Sequence, residues 1–279
     1  MGAGTLFLCA TPIGNLTDVT IRVLDTLREV DVVAAEDTRR TRRLLQRYDI
    51  RTPMLSYREE NREAVGRRIV EQLEAGESVG LVSDAGTPGV SDPGSHLVAL
   101  CLDRGIRVES LPGPNAAISA LVVSGLPTRR FSFEGFPPRK KGARRKALEA
   151  LIDDERTLIF YESPNRTPEM LADVLEVLGD RRCALARELT KRYEEVLRGT
   201  VSAVLARVGE GALKGEVVLV VEGAPAGGTV GEGALEEALL RVEALVEGGA
   251  GLKEASASVA AETPGVSRGT LYNLSLERR

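Results

Sequence analysis

Histidine is almost absent from this chain, and cysteine is scarce. His96 is the only histidine among 279 residues, which disfavours zinc sites and Ser-His-Asp catalysis and predicts a structural role for it. The three cysteines, Cys9, Cys101 and Cys183, lie far apart in apolar stretches. Their spacing matches neither a disulfide framework nor a metal site. It predicts buried free thiols in a reducing cytoplasm and no bound metal.

Long apolar runs are missing as well. None approaches the roughly 18 residues that suggest a membrane-spanning helix, and the first ten residues lack the basic segment of a signal peptide. Hydrophobic residues make up 43% of the chain and charged residues 28%, as in ordinary globular proteins. We therefore expect a soluble cytoplasmic protein with no membrane partner, built as two domains or as one large domain with an appendage.

Two nucleotide-binding signatures are also lacking. The P-loop pattern G-x-x-x-x-G-K-[ST] does not occur, and the G-x-G at Gly2–Gly4 precedes the first predicted strand instead of following it. The chain has instead one unusual stretch, Gly80–Gly94, which reads G-L-V-S-D-A-G-T-P-G-V-S-D-P-G and is here named the focal loop. An apolar run, Ser78–Val82, enters it as a predicted buried strand, and a predicted helix, Ser95–Leu102, follows it. Such a strand, small-residue loop and helix form the usual ligand-binding corner of an open α/β sheet.

Predicted strands and helices alternate through the first half of the chain. This pattern indicates βαβ units and a largely parallel sheet. Three loops then fall at the carboxyl ends of strands, where such sheets bind ligands: Thr11–Asn15, Ser83–Gly89 and Pro112–Asn115. More closely spaced strands after Gly125 predict a mixed sheet with hairpins. The predicted division is an N-terminal α/β lobe at 1–118, a C-terminal α/β lobe at 119–223, and a linker with a helical extension at 224–279.

The predicted extension begins after a glycine-rich linker. A helix is expected from Ala234 to Glu247, followed by two shorter helices, Lys253–Glu262 and Arg268–Leu276, with Ser267 as the N-cap of the last. This pair resembles a helix-turn-helix in shape. A small helical cap is the alternative, and we favour it.

The chemistry of the focal loop narrows the class of ligand. It carries Asp84 among small residues, but no lysine or arginine that would hold a phosphate. An acid beside close-packed backbone suits a ligand with an ammonium group or hydroxyls better than it suits a triphosphate. S-adenosylmethionine has such groups and no phosphate. A sugar or an amino acid would satisfy the same residues.

Two basic clusters stand out on a chain whose net charge is −4. Residues 139–146 read R-K-K-G-A-R-R-K, with six cations in eight residues, and residues 39–47 contain five arginines in nine. Separate clusters on an acidic protein favour focused attraction to phosphates. A solvated helix face is the alternative for each.

Eight motifs between Leu6 and Gly223 carry a resemblance to a known family. In chain order they are A-T-P-I-G-N-L-T-D, A-A-E-D-T-R-R-T, L-V-S-D-A-G-T-P-G-V-S-D-P-G, L-P-G-P-N-A-A, E-G-F-P-P-R-K-K-G-A-R-R, F-Y-E-S-P-N-R, A-R-E-L-T-K and K-G-E-V-V-L-V-V-E-G. Together they resemble the ribosomal RNA small subunit methyltransferase I family, within the tetrapyrrole methylase superfamily. Residues 234–279 are similar to the variable C-terminal extension of that family.

The resemblance implies a fold, a cofactor and a reaction. It implies a homodimer of two α/β lobes, with S-adenosylmethionine in a cleft between the lobes, and a small helical C-terminal extension. The implied reaction is 2′-O-methylation of a cytidine in the decoding region of 16S rRNA, so the implied partner is 16S rRNA or the small ribosomal subunit. Carried over motif by motif, the cofactor-binding residues are Pro12, Ser83, Asp84, Gly86, Val90, Asn115, Ala116, Tyr161, Ala186, Gly215 and Glu216.

A ribose 2′-hydroxyl is a poor nucleophile at neutral pH, so a general base or a cation near its oxygen is expected. The candidates at strand ends are Glu36 with Asp37, Glu162, and Glu188 with Lys191. We predict that Glu188 or Lys191 is catalytic, because A-R-E-L-T-K packs an acid and cations at one strand end. Structural salt bridges with neighbouring arginines are the alternative.

If the substrate is RNA, as the resemblance implies, the two basic clusters are predicted to bind its phosphates. The residues concerned are Arg39, Arg40, Arg42, Arg43, Arg139, Lys140, Lys141, Arg144 and Arg145.

Two other functions compete with this one. An enzyme of the same superfamily that methylates a tetrapyrrole carbon would need an uncharged trough, which the basic clusters disfavour. A non-catalytic nucleic-acid-binding regulator would depend on the C-terminal helix pair and would not consume S-adenosylmethionine.

Overall fold

The structure is a computed structural model that describes residues 3–209, 213–225, 232–263, 266 and 268–278. The chain forms two compact units, one made of Met1–Ala120 with Arg187–Glu195 and the other of Leu121–Ala186 with Val196–Arg279. The sequence places residues 187–195 in the second lobe, whereas the structure groups them with the first unit. The domain limits given above stay predictions.

The first unit is built on a five-stranded sheet. Its strands are β1 (Thr5–Cys9), β2 (Val32–Ala35), β3 (Met54–Ser56), β4 (Val79–Val82) and β5 (Arg107–Leu111). The helices that follow them are α1 (Ile21–Glu29), α2 (Thr38–Arg47), α3 (Arg62–Glu74), α4 (Ser95–Asp103) and α5 (Ala116–Ser124), of which α5 belongs to this unit only as far as Ala120. The strand order is β3-β2-β4-β1-β5, and every pair is parallel. This confirms the parallel sheet that the alternation predicts.

Both faces of this sheet are covered. One apolar cluster includes Val23, Leu27 and Leu44 from α1 and α2, and the other includes Ile69 and Leu97 from α3 and α4. Strands between two layers of helices bury alternate residues on each side, which explains why their sequences read as continuous apolar runs. The sheet therefore leaves its strand ends as the place for polar and small residues.

The second unit contains a mixed sheet. Its elements are β6 (Phe131–Gly135), α6 (Lys141–Glu149), β7 (Thr157–Glu162), α7 (Thr167–Leu178), β8 (Arg182–Arg187), β9 (Glu195–Thr200), α8 (Val201–Gly209) and β10 (Val217–Val221). The strand order is β6-β7-β10-β8-β9; β6 and β7 are parallel, and β7 and β10 are antiparallel. The predicted mixed sheet is confirmed.

Three helices form the C-terminal extension. They are α9 (Glu232–Glu247), α10 (Leu252–Glu262) and α11 (Arg268–Glu277), and they share a small core that includes Leu239, Val242, Val259 and Leu271. This confirms a small helical extension. The predicted N-cap, Ser267, and most of the glycine-rich linker lie outside the described residues.

The cysteines have the buried, unpaired state that the sequence predicts. All three are free and buried, and burial raises the pKa of the Cys9 and Cys183 thiols to about 12. Such thiols are inert at neutral pH. Separately, no helix among the described residues is long and apolar enough to cross a membrane.

Candidate active site

Two loops are tied together at the carboxyl edge of the first sheet. Because β1 and β4 are neighbours, the residues that follow them meet. The Thr11 N–H donates to the carbonyl of Gly86 at 2.8 Å, and the Gly86 N–H donates back to Thr11 at 3.0 Å. The Thr11 hydroxyl also donates to the carbonyl of Ser83 at 3.1 Å. The loop after β1 (Thr11–Asn15), here called the first loop, is thus joined to the focal loop by backbone hydrogen bonds.

Gly86 is the point where three loops converge. Its φ is +83°, and a Cβ at this position would lie 3.6 Å from Ile13 Cγ2 and 3.7 Å from the carbonyl oxygen of Pro114. Only glycine adopts this conformation without strain. The loops after β1, β4 and β5 therefore bring one group of predicted cofactor residues to a single sheet edge: Pro12, Ser83, Asp84, Gly86, Val90, Asn115 and Ala116. Within this group, Asn115 also caps α5, because its Oδ1 accepts from the Ile118 N–H at 3.1 Å.

Carboxylates gather beside this edge. Asp84 Oδ1 accepts from the Asp37 N–H at 3.0 Å, and Glu36 Oε2 accepts from the Asp84 N–H at 3.2 Å. Asp84 Oδ2 lies 3.4 Å from a guanidinium nitrogen of Arg40. Asp84 therefore joins the loop after β4 to the loop after β2. Burial raises the pKa of Glu36, with the nearby charge of Asp84 adding to the effect.

Asp92 is a member of this cluster that sequence reasoning missed. Burial, and then the negative charge of Glu36, raise the pKa of Asp92 to about 6. A carboxyl with so perturbed a pKa in a loop site marks a functional candidate. A signal was present in the sequence, because the focal loop repeats the pattern S-D-x-G, once at Ser83–Gly86 and again at Ser91–Gly94.

The predicted catalytic pair belongs to the first unit and lies against the first loop. Lys191 Nζ is 2.8 Å from Glu188 Oε1. A Cβ at Gly14 would lie 2.6 Å from Lys191 Cγ and 2.8 Å from Thr190 Oγ1. Glycine at position 14 is thus required for this approach. The same loop that carries Pro12 therefore contacts the segment that carries Glu188 and Lys191.

The backbone around this pair is strained. Glu188 has a φ of 51° and Thr190 a φ of 66°, a region that costs an ordinary residue about 1–2 kcal/mol. For a β-branched threonine such a φ is a genuine outlier. Strain of this kind concentrates at functional sites. It supports Glu188 and Lys191 as more than a surface ion pair.

The remaining predicted cofactor residues share one edge of the second sheet. Val218 pairs with Tyr161 across β10 and β7, and the Glu222 N–H donates to the carbonyl of Arg182 at 2.9 Å. The start of β10 therefore lies by the ends of β7 and β8. This register brings together Tyr161, Ala186, Gly215 and Glu216.

Comparison with known proteins decides the family. The family described as Tetrapyrrole (Corrin/Porphyrin) Methylases matches residues 5–205 of the chain. The chain belongs to the tetrapyrrole methylase family. Its fold agrees, since a uroporphyrin-III-C-methyltransferase structure from Thermus thermophilus superposes with a TM-score of 0.56 at 21% identity, covering 78% of this chain and 94% of that one. The cobalt precorrin-4 methyltransferase CbiF superposes with a TM-score of 0.58 at 15% identity, over 78% and 94% of the two chains.

Two relatives are more similar to this chain in sequence than the two solved structures are. Ribosomal RNA small subunit methyltransferase I of Halalkalibacterium halodurans is 52% identical over 79% of this chain and 76% of its own length. The protein of the same name from Escherichia coli O157:H7 is 46% identical over 99% of this chain and 96% of its own. These matches confirm the family resemblance that the eight motifs carry. The protein is therefore a methyltransferase.

The structure corrects one part of the predicted RNA surface of this tetrapyrrole methylase. Arg144 is only 1% exposed, and its Nη2 lies 2.6 Å from Oδ2 of the buried Asp173. Arg145 is 28% exposed and is paired with Asp173 at 2.8 Å and with Glu176. Arg144 is therefore a core residue that cannot reach a phosphate, and the charge of Arg145 is already neutralised.

The other predicted cations are on the surface of the methylase. Arg139, Lys140 and Lys141 are exposed at the start of α6. In α2 the buried face is Thr41, Leu44 and Leu45, and the arginines lie on the exposed face: Arg39, Arg40, Arg42 and Arg43. Two of these are paired, Arg39 with Asp37 at 2.9 Å and Arg40 with Asp84 at 3.4 Å. Exposed cations remain in both clusters.

Glu162 of the methylase has a structural environment. Its side chain is 1% exposed, and its Oε1 lies 2.5 Å from Arg166 Nη2 and accepts from the Ser163 N–H at 2.7 Å. These contacts fix the turn between β7 and α7. The Arg166 contact is a salt bridge of the kind given above as the alternative to catalysis, while Glu162 Oε2 is buried with no hydrogen-bond partner among the described residues.

Proposed function

We propose that this methyltransferase transfers a methyl group from S-adenosylmethionine to the ribose 2′-hydroxyl of a cytidine in the decoding region of 16S rRNA. The similarity to proteins named ribosomal RNA small subunit methyltransferase I carries the proposal, because it reaches 46% identity over 99% of the chain. Exposed cations at two places on an acidic protein support an RNA substrate. The substrate is then 16S rRNA or the small ribosomal subunit.

The backbone and the carboxylates at the carboxyl edge of the first sheet suit S-adenosylmethionine. The Gly86 backbone has no Cβ to block a close approach, and Glu36, Asp84 and Asp92 supply negative charge at the same edge. Carboxylates suit a ligand that carries a cationic sulfonium and an ammonium group. When bound, this cofactor supplies an activated methyl group, so that the protein has mainly to position the acceptor. The residues of the first unit that would hold it are the predicted set at the carboxyl edge of the first sheet.

Glu188 and Lys191 are assigned to the acceptor oxygen. In the transfer a carbon–sulfur bond breaks, a carbon–oxygen bond forms and the hydroxyl loses its proton. Glu188 accepts this proton, and the Lys191 ammonium, 2.8 Å from the carboxylate, stabilises the developing negative charge on the oxygen. The close approach of Gly14 to Thr190 and Lys191 helps to hold this segment at its positive φ values and so keeps the pair in position.

Substitution of Gly86 by alanine, compared with a matched control, distinguishes an effect on ligand binding from an effect on stability. We expect Gly86→Ala to weaken binding of S-adenosylmethionine at least tenfold, because the loop must shift to relieve a φ of +83°. Gly105 has a φ of +67°, and a Cβ placed there would have no neighbouring atom within 4 Å, so Gly105→Ala is the matched control. Both variants should lose about 1–2 kcal/mol of stability. Calorimetric titration that gives equal affinities for the two variants would contradict the assignment of Gly86.

The exposed cations at the start of α6 are expected to bind RNA phosphates. In the triple variant Arg139→Gln, Lys140→Gln, Lys141→Gln, the steepness of log affinity against log salt should fall by about 2, since each lost phosphate contact on single-stranded RNA removes about 0.7. Affinity for S-adenosylmethionine should be unchanged. Filter binding across a salt series measures the slope. An unaltered slope would remove these residues from the RNA surface.

The proposed reaction itself is tested by mapping the product. Purified protein, labelled S-adenosylmethionine and small ribosomal subunits from cells that lack the protein should give one ribose-methylated cytidine, located by mass spectrometry. Free 16S rRNA serves as the second substrate and a porphyrinoid as the third. Methylation of the porphyrinoid alone, or of a base instead of a ribose, would overturn the proposal.

The assembly and location of the protein are also proposed. A homodimer is supported by the apolar helix α5, on which Ile118 and Val122 are 43% and 64% exposed, since an exposed apolar helix face is stabilised by burial against a second copy. A ribosomal RNA substrate supports a cytoplasmic location.

A further inference from the structure

An exposed aromatic side chain stands next to the cations of the second unit. Phe136 is 58% exposed, although a phenylalanine on a protein surface exposes apolar area to water. It is followed by two prolines and then by Arg139, Lys140 and Lys141, all three exposed. Aromatic rings interleaved with cations are typical of surfaces that bind single-stranded nucleic acid.

The position of this ring is built into the sheet. The register between β6 and β7 shifts between Phe133 and Gly135, so two residues of β6 oppose one residue of β7. Gly135 has a φ of +63°. A bulge of this kind redirects the side chains that follow it and is common beside functional sites. Here it turns Phe136 to the same side as Phe133 and Tyr161.

Neighbouring rings hold Phe136 in place. Its ring centroid is 5.4 Å from that of Tyr161 at an interplanar angle of 61°, and Tyr161 is 4.8 Å from Phe133 at 70°. These edge-to-face contacts are a favourable arrangement for aromatic pairs. They fix the orientation of Phe136 while more than half of its surface stays open. A flat, oriented and exposed ring is a ready platform for a nucleobase.

We propose that Phe136 is a stacking platform for an unpaired base of the RNA, with Arg139, Lys140 and Lys141 on the adjoining phosphates. The proposal rests on the RNA-modifying function proposed above. Sequence-specific RNA proteins bind bases that are splayed out of a helix, and they stack them on aromatic side chains. Phe136 is thus a positioning residue that holds the strand by its bases, while the cations hold it by its backbone.

The absence of tryptophan from the chain permits a direct test. In Phe136→Trp the new indole is the only one in the protein, so its emission reports on this position alone. Titration with a short single-stranded oligoribonucleotide should quench this emission, with affinity kept within about threefold of wild type. An RNA duplex of the same length should quench it far less. Undiminished emission at saturating oligoribonucleotide would overturn the proposal.

Removal of the ring gives the complementary measurement. Phe136→Leu should weaken oligoribonucleotide binding by about 5- to 150-fold, the range for loss of one stacked base. Its slope of log affinity against log salt should stay at the wild-type value, unlike that of the glutamine variants at positions 139–141. Phe131→Leu is the matched control, because Phe131 is 39% exposed at the start of the same strand, and it should bind as wild type.

The outcomes separate this inference from the function on which it rests. If wild type methylates ribosomal RNA but Phe136→Leu binds RNA with unchanged affinity, only the stacking role fails. If wild type neither binds nor methylates RNA, the proposed function fails first. Sedimentation of wild type and Phe136→Leu tests whether a second copy of the chain, instead of RNA, covers the ring of Phe136. A change in oligomeric state in Phe136→Leu, with unchanged RNA affinity, would assign the ring to a protein interface and overturn the proposal.

Discussion

Replacement of Lys191 by methionine should lower kcat for methyl transfer by about 10²- to 10⁴-fold, the usual contribution of a positioned acid–base group. Affinity for S-adenosylmethionine should change little, because Lys191 is assigned to the acceptor oxygen and not to the methyl donor. Glu188→Gln should have a similar effect, since the two side chains lie 2.8 Å apart and act together. Single-turnover kinetics under saturating donor measures the chemical step directly.

Controls for this prediction lie in the same turn. Arg192 is exposed and stands over the ring of Tyr193 at 5.7 Å, so Arg192→Met removes a neighbouring cation and should leave kcat within about twofold of wild type. Lys191→Arg keeps a positive charge and should restore part of the rate. If Lys191→Met and Glu188→Gln both retain more than a third of the wild-type rate, the pair has only the structural role of a salt bridge.

Replacement of Arg144 by methionine should destabilise the second unit by about 3 kcal/mol. Arg144 and Asp173 are 1% and 2% exposed, and removing one partner of a buried ion pair costs about 3–5 kcal/mol, because the other charge is left buried. The lower end applies here, since Arg145 still reaches Asp173 at 2.8 Å. Urea unfolding followed by circular dichroism measures the loss. Arg139→Met, at an exposed position, should shift the midpoint hardly at all.

The same ion pair predicts a dependence on pH. Burial by itself would raise the pKa of Asp173, but hydrogen bonds from Arg145 and Arg144 outweigh it and lower the pKa. Because the pKa of Asp173 is lower in the folded state than in the unfolded state, the ionised carboxylate stabilises the folded protein. This stabilisation is complete above the unfolded pKa of about 3.9, and it is lost as the pH falls from that value through the folded pKa. The stability difference between wild type and Arg144→Met should therefore narrow toward pH 3. A difference that stays constant from pH 7 to pH 3 would contradict this account.

Arg144 also shows why part of the surface was predicted wrongly. In sequence it belongs to a run of six cations in eight residues, and such runs are usually solvated. In the structure its guanidinium is turned inward to Asp173, and its Nη1 also donates to the carbonyl of Arg139 at 3.3 Å. It supports the exposed cations from within instead of joining them. Its charged partner lies 29 residues away in α7, and no local pattern announces that pairing.

Local patterns were sufficient for most elements of the fold. The predicted helices Ser95–Leu102, Lys253–Glu262 and Arg268–Leu276 agree with α4, α10 and α11 to within one residue at each end. The run at 139–146 predicts a helix only as an alternative, because Arg144 occupies a position on the buried face of α6 and breaks the apolar period. The focal loop was recognised because glycine and proline mark a loop directly.

The sequence by itself determined the family, the alternation of strands and helices, and the loops at the carboxyl ends of β1, β4 and β5, since each depends on residues that are close along the chain. Only the tertiary structure decided which distant residues meet. It placed Asp92 with Glu36, Lys191 against Gly14, and Phe136 beside Tyr161, and it withdrew Arg144 into the core. The physical reason is that strand order, burial and a bulge in β6 bring these groups together, and periodicity carries no information on contacts across the sheet.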